Sequence, residues 1–115
     1  MVKVILNQEQ IEEIPDKPAV YALFSMDNDL VCRYVDYSGN LRESIRKHFG
    51  PDEPNIYIRY LMLSCKNKLL HYEVEPNGIT DGTSEKVNAW ISKFHPRKIL
   101  IRNEESRERI SKLIQ

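Results

Sequence analysis

The chain has 115 residues, 41% hydrophobic and 30% charged, a balance too apolar for disorder and too interrupted by charge for a membrane span. Seventeen basic and seventeen acidic residues give zero formal net charge, which excludes a global positive field and leaves any nucleic-acid contact to a local patch. The length suits a single domain, residues 1–115, with one modest core.

The start, Met1 to Leu6, carries one basic residue and an apolar run that breaks at Asn7, far short of a secretory leader. The expected location is therefore the cytosol. Cys32 and Cys65 lack the C-x-x-C spacing of metal or dithiol sites and are expected to be free, buried thiols.

In chain order, Val2 to Leu6 alternates as a short strand, and Asn7 is placed to cap a short helical stretch, Gln8 to Ile14, that Pro15 stops. Ala19 to Phe24 and Leu30 to Tyr37 are β-prone and flank the turn chemistry of Met26 to Asp29, which predicts an antiparallel hairpin. Asn40 is the expected cap of an amphipathic helix in which Leu41, Ile45 and Phe49 or His48 recur inward. On that helix Arg42, Glu43, Arg46 and Lys47 turn outward until Gly50 and Pro51 end it.

Ile56 to Ser64, rich in apolar and aromatic residues, is read as a long strand, and Leu69 to Val74 as another. Beyond the loop signals at Pro76 to Gly78 and Asp81 to Gly82, Ser84 is expected to open a helix. Its stripe of Val87, Trp90, Ile91 and Phe94 should join the core, and His95 and Pro96 close it. Lys98 to Arg102 is expected as a final strand, and Asn103 as the start of a C-terminal helix packing Ile110, Leu113 and Ile114. The result is an α/β (α+β) fold with a small, mainly antiparallel sheet flanked by helices. The charges segregate: bases gather at Arg42, Arg46, Lys47 and His48, acids between Gln8 and Asp16 and at Asp52 and Glu53.

Three segments then carry a resemblance. Pro18, Ala19, Val20 and Tyr21, then Tyr34, Val35 and Asp36, then a helix opening at Asn40 and Leu41 and ending Lys47, His48 and Phe49, follow one another in the order and spacing of the GIY-YIG nuclease superfamily. Lys93 to Arg97 looks like the helix ending of that family's excision-repair members, so the resemblance covers about Pro15 to Arg97. Ser38, Ser44, His48 and the pair Ala89 and Trp90 are also similar to a divergent branch, found free-standing in cyanobacteria and fused to a glutaredoxin in plants.

The resemblance implies a DNA endonuclease of repair type, needing Mg2+ or Mn2+ held by a glutamate, an arginine to grip the phosphate, and tyrosines on two strands to assist water attack. Tyr21 and Tyr34 match the tyrosines and His48 a histidine common at this place, which implies catalytic roles for all three. Asp36 stands at the family glycine, Ser44 at the arginine and Val87 at the glutamate. Glu85 or Asp36 is the remaining metal candidate, although Glu85, a first-turn acid on a helix, needs no metal to explain it. Helical spacing puts Lys47 and His48, but neither Arg42 nor Arg46, on the face of Ser44.

Three readings follow. The chain is a GIY-YIG-like domain with an eroded site that binds DNA or RNA through Arg42, Arg46 and Lys47, an active metal-dependent endonuclease, or a protein-interaction or structural module.

Overall fold

The computed structural model describes residues 2–27 and 29–97; the strand expected at Lys98 to Arg102 and the C-terminal helix lie outside them. The protein is a small α/β fold whose described residues form a four-stranded antiparallel sheet. The strands are β1 (Val2–Ile5), β2 (Ala19–Ser25), β3 (Val31–Ser38) and β4 (Lys68–Val74), ordered β1-β4-β2-β3. The helices are α1 (Leu41–Phe49), α2 (Ile56–Ser64) and α3 (Asp81–Phe94), with a short 3-10 stretch at Gln8–Glu13. Among the described residues, no helix is long and apolar enough to cross a membrane.

β2 is interior, between β4 and β3, and is buried along its whole length, and its alternation divides the molecule. Ala19, Tyr21 and Leu23 face one layer and pack with Leu41 and Ile45 of α1 and with Ile58, Leu61 and Met62 of α2. Val20, Ala22 and Phe24 face the other, where Trp90, Val87 and Phe94 of α3 cover them. Neither apolar face of the sheet could remain in water, and each helix stripe supplies the cover its face requires.

The hairpin is present, with a bulge between Leu23 and Phe24 in its register. Tyr34 opposes Leu23 whereas Cys32 opposes Phe24, so Arg33 is the extra residue. The bulge lets Cys32 join the α3 face while Tyr34 joins the α1 and α2 face. The Arg33 guanidinium donates to Ser25 Oγ at 2.9 Å.

Ile56–Ser64 is helix α2, and the expected strand is corrected. The Asn55 side chain accepts from the N–H groups of Tyr57 and Ile58 at 3.0 and 3.2 Å, which nucleates a helical turn. Ile58, Leu61 and Met62 then bury at i, i+3 and i+4. A short apolar run reads alike as buried strand or buried helix, and here the cap decides. α3 also begins earlier than expected, with Thr80 as N-cap and the Thr83 hydroxyl accepting from the Thr80 N–H at 3.0 Å. Gly78 takes φ +75° in the turn before it, a conformation an L side chain resists.

His71 of β4 is buried on the α3 face, its ring 5.3 Å from Phe94, 5.7 Å from Trp90 and 5.8 Å from Phe24. Its Nε2 has no hydrogen-bond partner. Burial, then the positive charges of Lys3 and Lys93, holds its pKa below the ordinary histidine value. The unfolded chain therefore binds the proton more readily. The stabilising contribution is fully present above the ordinary value and is lost as the pH falls toward the lowered one. The midpoint of urea unfolding should fall between about pH 7 and about pH 5, and His71→Phe should flatten that slope. An unchanged slope in the variant contradicts this account.

Candidate functional site

Helix α1 is delivered to the site by its own start. Asn40 Oδ1 accepts from Glu43 N–H at 3.2 Å, and the N–H groups of Leu41 and Arg42 reach the carbonyls of Lys17 and Pro15. The free donors of the first turn are thus satisfied by the Asn40 side chain and by the chain leading into β2. Ile45, fully buried, anchors the helix under the sheet, and His48 follows one turn on from Ser44.

Tyr21 and His48, far apart in sequence, meet at 2.7 Å between the tyrosine oxygen and imidazole Nε2. His48 Nδ1 lies 2.7 Å from Glu53 Oε2. All three side chains are buried, at 2%, 8% and 6% exposure. Tyr34 completes the group, with its ring 6.2 Å from that of Tyr21 and edge-on to His48 at 5.8 Å. Its hydroxyl donates to Asp36 Oδ2 at 2.7 Å. Next to them Ser38 and Ser44 share a hydrogen bond of 2.5 Å. A cleft of about 540 Å3 opens over this floor, with Tyr21, Ser44 and His48 in its wall and Lys47 at its exposed side.

The sequence-derived residues therefore separate. Tyr21, Tyr34, Asp36, Ser44 and His48 do come together. Glu85 does not join them: it is exposed on α3, whose core residues pack on the opposite face of the sheet. Its neighbour Lys86 pairs with Glu73 and Glu75 on the β4 side, away from β3. Val87, where the resemblance expects a glutamate, packs into the α3 core.

The basic helix is also changed by its surroundings. Arg42 donates to the carbonyls of Ile14 and Glu12 at 2.7 and 2.9 Å and pairs with Glu12 and Asp16. Arg46 pairs with Glu12 and Glu43. The acid-rich and base-rich segments seen in the sequence are thus packed on each other. Arg46 nonetheless reaches the cleft wall beside Lys47, which the helical-face argument did not expect; a long side chain spans the angle between the two faces.

Electrostatics keep the tyrosines protonated. Burial, then the neighbouring Tyr34, Asp36 and Glu53, pushes the Tyr21 hydroxyl far above the ordinary tyrosine value. Burial, then the Asp36 hydrogen bond and the charges of Asp36 and Glu53, does the same to Tyr34.

A divalent cation needs several oxygen donors free to converge. Asp36 spends one oxygen on Tyr34 and the other on the Tyr37 N–H, at 2.8 Å. Glu53 spends one on His48 and the other on the Asn55 N–H, at 3.2 Å. Among the described residues no three His, Cys, Asp or Glu side chains are grouped to hold a metal. With both floor carboxylates so engaged, the floor itself does not fit Mg2+ or Mn2+, and Asp52 is the further carboxylate of the cleft wall.

Glu53 is the residue sequence reasoning missed. It follows His48 by five positions, between Pro51 and Pro54, and a Pro-bounded turn directly after a helix-ending histidine is the signal that points to it. No protein-family model, curated protein or solved structure matches the chain.

Proposed function

We propose that this chain is a GIY-YIG-like domain that has lost nuclease chemistry and holds a nucleic-acid backbone weakly at its cleft mouth, through Lys47 and Arg46. The observation that carries the reading is the closed hydrogen bonding of the cleft floor. Tyr21, Tyr34, Asp36, His48 and Glu53 satisfy one another or nearby backbone, while Asp52, Lys47 and Arg46 stand in the wall of the same cleft. A general base made from Tyr21 requires the proton to leave a site where burial and two acids resist the phenolate. With Arg42 and much of Arg46 neutralised, the patch is smaller than the sequence suggested, and Lys47 is its main cation. Two unpaired thiols, Cys32 and Cys65, accord with a cytosolic setting.

Titration of labelled single-stranded DNA, double-stranded DNA and RNA at rising salt tests this. Binding should be weak and indifferent to sequence, with a salt slope of about one to two phosphate contacts, and Lys47→Ala should remove about one of them. Absence of binding to all three at low salt sinks the nucleic-acid reading and leaves the interaction-module one.

One observation favours the second reading, an active endonuclease: Tyr21 already sits at hydrogen-bonding distance from an imidazole. On that reading Tyr21 or Tyr34 assists water attack. The occupied carboxylates and the placement of Glu85 weigh against it.

A further inference from the structure

We infer that Glu53 sets the hydrogen-bonding polarity of the cleft floor: it fixes His48 as the Nδ1–H tautomer, so that Tyr21 points its proton inward and presents only oxygen lone pairs to a ligand. An ionised carboxylate can only accept, so the 2.7 Å contact between Glu53 Oε2 and His48 Nδ1 requires the proton on Nδ1. In the neutral ring Nε2 is then an acceptor, and the 2.7 Å contact with Tyr21 requires the tyrosine to donate.

The carboxylate is held for this task by the helix that follows. Glu53 Oε1 accepts from the Asn55 N–H, while the Asn55 side chain caps the first turn of α2. The turn between α1 and α2 thus locks one carboxylate oxygen and aims the other at the imidazole. Tyr34 does not supply a counterbalancing donor, because its hydroxyl is committed to Asp36.

The chemical consequence is specificity. The Tyr21 oxygen, backed by Asp36 and Glu53, accepts hydrogen bonds from a ligand hydroxyl, amine or water and offers no proton to a phosphate oxygen, which must turn to the cleft wall for its donors. Glu53 is accordingly a specificity-determining residue acting through His48 and Tyr21. It disfavours an anion beside Tyr21 and leaves phosphate contact to the cleft wall, where Lys47 and Arg46 supply the cations. This inference concerns the site of the proposed function, but its principal readout does not require nucleic acid.

Glu53→Gln tests it with little change of shape. The amide oxygen can keep the Asn55 N–H, which turns the amide NH2 toward His48. Nδ1 then becomes the acceptor, Nε2 carries the proton and donates to Tyr21, and the tyrosine proton turns to the cleft. Long-range proton–nitrogen NMR of His48 at about pH 9, where an ordinary imidazole is neutral, should show Nδ1 protonated in the wild type and Nε2 protonated in the variant. Affinity for inorganic phosphate, read by the same spectra, should rise by about tenfold in the variant. A wild-type His48 protonated at Nε2 overturns the assignment, and that spectrum alone decides it even if the variant does not fold. A swap of tautomer with unchanged phosphate affinity overturns the specificity role. Failure of nucleic-acid binding, with the tautomers as stated, defeats only the proposed function.

Discussion

Replacing Trp90 by alanine is expected to cost about 3–5 kcal/mol of folding stability, the usual range for a buried tryptophan. Trp90 is 6% exposed and is the largest side chain that α3 lays on the sheet, over Val20, Ala22, Phe24, Cys32, Val35 and Leu69. Its ring also meets Phe94 edge-on at 5.7 Å and packs against His71, contacts that add to the area it buries. α3 is exposed on most of its remaining surface, so nothing else on the helix can fill the space left. Urea unfolding reads the loss directly, and a cost below about 1 kcal/mol contradicts this packing. Because Tyr21 and His48 lie on the opposite face of β2, the Trp90→Ala protein, while folded, should retain its Tyr21–His48 contact.

Ile45→Ala is expected to cost about 2–5 kcal/mol and to act on the site as well as the fold. Ile45 is fully buried between α1 and the sheet, in the cluster with Tyr21, Leu23 and Leu61. A cavity there removes the anchor of the helix that carries Ser44, Lys47 and His48. Both stability and the His48 environment should change, the second seen as a shift of the His48 ring resonances. A destabilised protein with unshifted His48 resonances shows that α1 is held by its ends, through Asn40 and the Arg42 and Arg46 pairs, and not by Ile45.

The contrast between these two residues shows what the sequence made legible. Trp90 and Ile45 were both readable as core because helical spacing put them on apolar stripes. The hairpin was readable from two β-prone runs about a polar turn, whereas the meeting of Tyr21, Tyr34 and His48 was expected only through the resemblance. Ile56 to Ser64 was not: its apolar run fits either period, and the decision lay with Asn55, a single capping residue outside it.

The partners of Arg42 and Arg46 were not readable either. Glu12, Asp16 and Ile14 come to α1 only through the tertiary path of the chain between β1 and β2. Glu85 and Glu53 exchanged importance for the same reason. Which carboxylate reaches His48 depends on which side of the sheet its helix or turn packs, and local spacing does not encode that.

The proposed function holds that Tyr21 and Tyr34 stand in a site that does not support hydrolysis. The direct test is incubation of the purified protein with single- and double-stranded DNA and with RNA, in Mg2+ and separately in Mn2+, beside the Tyr21→Phe variant. The account predicts no cleavage above background with either metal, and identical results for the two proteins. Robust metal-dependent cleavage by the wild type that Tyr21→Phe abolishes contradicts it.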